Sequence, residues 1–108
     1  MANKSMESSS FFNADILNNL SRKAIAAAIK GQWQNAIDIN SEILNKSPKN
    51  TEALNRLGKS YMELGLIVKA IKTFQKCLNI SPNNPIALKN LQRLQSLEAF
   101  SQKTVKNM

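Results

Sequence analysis

Apolar residues recur along this chain at helical spacing, and the pattern as a whole recurs 34 positions later. Leu54, Leu57, Gly58 and Tyr61 stand at i, i+3, i+4 and i+7, which predicts one face of a helix. Ile67, Ala70, Ile71, Phe74, Cys77 and Leu78 predict the face of a second helix. Gly65 between them permits the positive φ that ends a helix. Pro82 stops the second helix, because proline has no N–H to continue the ladder. When residues 17–50 are laid over residues 51–84, Leu20 meets Leu54, Arg22 meets Arg56, and Gly31 meets Gly65. Ala36 and Ile37 meet Ala70 and Ile71, Leu44 and Asn45 meet Leu78 and Asn79, Ser47 and Pro48 meet Ser81 and Pro82, and Asn50 meets Asn84. A gapless period of this length signals stacked helical repeats.

In the first unit the pattern predicts helices over Ala14–Lys30 and Trp33–Asn45, turning at Gly31. Asn13 and Asn50 are expected as N-caps. Trp33 is expected to seal the first helix against the second. Asn84 and Pro85 open a fifth helix, since Asn caps well and Pro suits the first helical position. Its expected apolar face is Ile86, Leu88, Leu91, Leu94 and Leu97. Residues 1–12 are polar and Ser-rich and are expected as a disordered leader, with residues 101–108 as a frayed basic tail. Between them lies one helical domain, 13–100.

The second unit resembles the tetratricopeptide repeat, whose period is about 34 residues with two antiparallel helices in each repeat. Leu54, Leu57, Gly58, Tyr61, Ala70, Phe74, Cys77 and Pro82 occupy the motif's slots, with Leu54 in place of Trp and Cys77 in place of Ala. In residues 17–50, Leu20, Ala24, Ala27, Gly31, Ala36 and Pro48 fit, while Lys23 takes the Leu slot and Asn40 the aromatic slot. The resemblance implies an all-α fold: two antiparallel helix hairpins, 17–50 and 51–84, in a right-handed superhelical stack. Residues 85–100 would then be the solvating helix that closes it. Gly58 and Ala70 would let helices approach closely, and Tyr61 and Phe74 would fill the space between hairpins.

Composition narrows the function. A chain of 108 residues that is 43% hydrophobic suits one domain with a core. There is no His and a single Cys, so neither a disulfide within the chain nor a zinc site of the usual ligands is expected. No phosphate-binding loop, metalloprotease motif or nucleophile triad occurs. The carboxylates are scattered, and Asp38 and Glu42, spaced i, i+4, read as a solvated helix surface. No catalytic activity and no cofactor are expected. The first twenty residues lack a signal-peptide core, and no run is long enough to span a bilayer, so a cytoplasmic protein is expected.

Fifteen Lys and Arg against seven Asp and Glu give a formal charge of +8, which reads first as a Lys-rich surface that keeps a small protein soluble and otherwise favours an acidic partner: an acidic peptide, nucleic acid or an anionic membrane surface. In the family, the first helix of each repeat lines a concave groove for a peptide or partner helix. The resemblance carries this role onto Asn55, Arg56, Lys59 and Met62 of the second unit and Lys89, Asn90 and Arg93 of the closing helix. Arg56, Lys59, Lys89 and Arg93 would form a basic cluster. Some family members clamp the terminal carboxylate of a chaperone tail; Ser21, Ile25 and Ile86 stand where that clamp needs polar or charged donors. The expected function is a protein-interaction module, adaptor or co-chaperone-like, that binds a peptide or helix of acidic character. The alternatives are a nucleic-acid-associated basic factor and a structural subunit of a larger or self-associated assembly.

Overall fold

In a computed structural model, the structure describes the backbone of residues 2–106 and the side chains of residues 13–100. The described residues form five helices and no strand: α1 (Ala2–Ile29), α2 (Trp33–Lys46), α3 (Thr51–Glu63), α4 (Ile67–Ile80) and α5 (Pro85–Lys106). Each helix packs on the next in sequence, and α1 also touches α3. The result is two hairpins, α1–α2 and α3–α4, with α5 laid against α4. None of the described helices is long and apolar enough to cross a membrane.

The turns follow from local chemistry. Gly31 and Gly65 have φ of 71° and 75°, a region that costs an L side chain strain. Each is flanked by the paired bonds of a Schellman cap. In the first turn, Gly31 N–H donates to Ala28 O at 3.0 Å and Gln32 N–H to Ala27 O at 2.9 Å. In the second, Gly65 N–H donates to Met62 O and Leu66 N–H to Tyr61 O, at 3.0 and 2.8 Å. One period further on, position 99 is Ala. With no glycine there to turn the chain, α5 continues to Lys106.

Asn50 caps α3 as expected, its Oδ1 accepting Ala53 N–H at 3.0 Å. Asn84 caps α5 in the same way through Ala87 N–H, also at 3.0 Å. Asn13 is no cap. It lies inside α1, because no Gly or Pro interrupts the chain before Gly31. Trp33 opens α2 half-buried. The side chains of the expected leader, and those of the expected tail, lie outside the described residues.

The core is concentrated in the second hairpin. Leu54, Ala70, Ile71, Phe74, Cys77, Ala87 and Leu94 form one buried cluster shared by α3, α4 and α5. A smaller one joins Ala24, Ile43 and Ala53, with Leu17, Leu20, Ile39 and Leu44 around it. Phe74 is fully buried against Gly58: a Cβ built there would stand 2.6 Å from the ring's Cζ. Phe74 thus fills the space within its own hairpin and belongs to the cluster that α5 closes with Ala87 and Leu94. In the first hairpin, Lys23 and Ala27 stand where the second has Leu57 and Tyr61. That side carries a hollow of about 430 Å³, lined also by Ile39 and Glu42.

On α5 the buried residues are Ala87 and Leu94, with Leu91 packed beside them. Ile86, Leu88 and Leu97 are exposed, which corrects the expected apolar face. The five apolar positions span too wide an arc for one contact. Helix α4 covers the arc centred on 87, 91 and 94.

A polar thread links the last three helices. The Cys77 thiol donates to Asn55 Oδ1 at 3.6 Å and lies 3.9 Å from Thr51 O. Asn55 Nδ2 donates to the capping oxygen Asn84 Oδ1 at 3.1 Å. Burial holds the Cys77 thiol above its usual pKa, and it stays protonated at neutral pH. Asn84→Ala removes a cap and the acceptor of Asn55 together. A loss of about 2 kcal/mol in urea unfolding is expected; a midpoint equal to wild type would show the thread to be idle.

Candidate peptide-binding groove

Helices α1, α3 and α5 are the first helices of successive units and share one side of the stack. They enclose a concavity of about 350 Å³ lined by Ala28, Asn55, Arg56, Lys59, Ile86 and Asn90. Four of the seven residues expected in a binding groove meet there: Asn55, Arg56, Lys59 and Asn90. The other three do not. Lys89 and Arg93 line a neighbouring hollow of about 460 Å³ along α5, with Gln92, Ser96 and Leu97. Met62 packs against the core cluster.

The expected basic cluster is also partly neutralised. Lys59 Nζ pairs with Glu63 Oε1 at 2.8 Å, one turn along α3. Arg56 turns inward, its Nε donating to Asn40 Oδ1 at 2.9 Å. Asn40 is fully buried and returns its own Nδ2 to Ala36 O at 2.9 Å, which fixes its amide. The polar residue in the aromatic slot of the first unit therefore receives the guanidinium of the second. Burial pulls the Arg56 pKa below its usual value, with Glu52 opposing through its charge. The amide of Asn55 is spent on Cys77 and Asn84 and serves the packing as much as the cavity.

On the outer helices, apolar side chains stand beside this centre together with Asn90. Ile86 is 54% exposed beside the cavity. Ile25 and Ile29 of α1 stand one period before Lys59 and Glu63, and Ile29 is 81% exposed. Arg22, one period before Arg56, reaches along its own helix to Asn19 Oδ1 at 2.9 Å. Ala28 and Asn40 were not anticipated as parts of the site. Asn40 did carry a signal, a polar residue at an aromatic position. Ala28 carried none, because small residues on α1 read equally well as core.

The family model for the tetratricopeptide repeat matches residues 51–84. A 56-residue stretch is 38% identical to the BBSome complex member BBS4 of Bos taurus, a match covering 52% of this chain and 11% of that protein. The chain thus spans about a tenth of that relative's length. Among solved structures, the Arabidopsis OM64 TPR domain superposes with a TM-score of 0.76 at 18% identity, over 83% of this chain and 74% of that one. The second TPR domain of human RPAP3, solved with the HSP70 peptide SGPTIEEVD, gives 0.69 at 19% identity over 73% and 66%. At such identities the likeness is one of fold.

Proposed function

We propose that this chain, whose residues 51–84 are a tetratricopeptide repeat, is a protein-interaction module, adaptor or co-chaperone-like, that receives a peptide or partner helix between α1, α3 and α5. One observation carries the reading: three helices from different units converge on a concavity of about 350 Å³ lined by apolar Ala28 and Ile86 and by polar Asn55, Arg56, Lys59 and Asn90. That is the composition of a recognition pocket. The formal charge of +8 favours an acidic segment. A free C-terminal carboxylate is disfavoured, since Ser21, Ile25 and Ile86 offer no charged donors. The working domain under this reading is 13–100.

The test is a phage-displayed library of 12-residue peptides selected on the full chain. Selected peptides should lose binding to Ile86→Asp and to the double variant Arg56→Glu, Lys59→Glu, which reverses both cations that line the cavity. They should bind the double variant Lys69→Glu, Lys72→Glu, altered on α4, as they bind wild type. Peptides indifferent to Ile86→Asp would overturn the groove reading. The same net charge supports one other reading, a nucleic-acid-associated factor. An oligonucleotide that binds with steep salt dependence and is weakened equally by both double variants would favour it.

A further inference from the structure

Arg56 is a half-buried cation whose contact is a neutral amide. Its Nε is held by Asn40 at 2.9 Å, and its Nη2 is shielded from solvent with no hydrogen-bond partner. Among the described residues, the one ion pair is Lys59–Glu63, so no carboxylate stands in contact with Arg56. A guanidinium partly removed from water is costly; Glu52, one turn earlier on α3, offsets only part of that cost through its charge and makes no ion pair with it, so an arriving carboxylate lowers the cost further. The same side chain lines the cavity, between Lys59, already neutralised, and the apolar Ala28 and Ile86.

We propose that Arg56 is the specificity-determining residue of the groove, and that it takes one internal Asp or Glu side chain of the partner while a neighbouring apolar side chain of the same segment packs on Ile86 and Ala28. This rests on the groove reading above. The anchor is one oriented guanidinium, held in place by Asn40, and the summed positive charge of the face is secondary. A side-chain carboxylate fits better than a chain terminus, because the cavity offers one cation without a contacting carboxylate where a terminus needs several charge-assisted donors.

Arg22 supplies an internal control. It stands at the equivalent position one period earlier, carries the same charge, and lies exposed with its guanidinium on Asn19. A diffuse electrostatic attraction would use both arginines alike.

The probe is the tightest-binding peptide from the library selection, synthesised with a twin in which each Asp or Glu is replaced in turn by Asn or Gln. Binding to the full chain is read by fluorescence anisotropy. One acid-to-amide replacement should weaken binding to wild type by roughly ten- to a hundredfold, the range for losing a hydrogen bond to a charged group. Arg56→Gln should bind the acidic peptide as weakly as wild type binds the twin, and should no longer distinguish the two. Arg22→Gln should behave as wild type. The proposal is overturned if no single acid matters to wild type, if Arg56→Gln still prefers the acid, or if Arg22→Gln costs as much as Arg56→Gln. Sensitivity to Ile86→Asp without any preference for an acid removes the Arg56 assignment and leaves the groove standing. Indifference to Ile86→Asp removes both. The wild-type comparison of the two peptides needs no variant to fold, and it decides the acid preference by itself.

Discussion

Phe74→Ala is expected to lower the unfolding free energy by about 3–5 kcal/mol, the usual range for emptying a buried aromatic site. The ring is fully buried and belongs to the cluster shared by α3, α4 and α5. A small helical domain has only about 5–15 kcal/mol of net stability, so the variant should be close to unfolding at room temperature. The partner substitution tests the mechanism. Gly58→Ala places a methyl 2.6 to 2.8 Å from three atoms of the Phe74 ring, which has no free space to yield. Overpacking of this kind costs about 1–3 kcal/mol. In the Phe74→Ala background the clash is gone, and Ala in place of Gly within a helix then stabilises by up to about 1 kcal/mol. The effect of Gly58→Ala should therefore change sign between the two backgrounds, as read by a double-mutant cycle in urea. An equal penalty in both would mean that the ring does not explain the glycine.

Leu57→Ala is expected to cost about 2–5 kcal/mol, with Leu54→Ala at the upper end of the same range. Leu54 is 1% exposed inside the three-helix cluster, whereas Leu57 is 8% exposed on the same face of α3. A cavity enclosed by three helices relaxes less than one nearer the rim, so the more central leucine should cost more. Urea titrations followed by circular dichroism give both values. An unmoved midpoint for Leu57→Ala would mean that the register of α3 is wrong. The reverse order of the two would mean that the cluster is centred elsewhere.

The sequence by itself determined the period, the hairpins, the turn glycines, the caps at Asn50 and Asn84, and the buried face of α3 and α4. All of these rest on interactions within one or two helical turns, or on backbone rules for Gly, Pro and Asn, which are local and therefore legible. Tertiary structure alone decided which polar groups pair across helices. Arg56 finds Asn40 sixteen residues away, and Asn55 finds Asn84 twenty-nine residues away. Neither separation is a helical spacing, so no pattern announced them. The same holds for the groove. Arg56, Lys59, Lys89 and Arg93 read from the chain as one basic set, yet the Lys59–Glu63 pair and the inward turn of Arg56 neutralise or bury half of it, and Lys89 and Arg93 line a separate hollow. The arc of α5 that packs was also a tertiary choice. Its apolar residues spread over more than half of the helix circumference, and only the position of α4 selects Ala87, Leu91 and Leu94 from among them. Periodicity tells which residues share a face; the direction in which that face points depends on how neighbouring helices exclude water, and that is a property of the assembled stack.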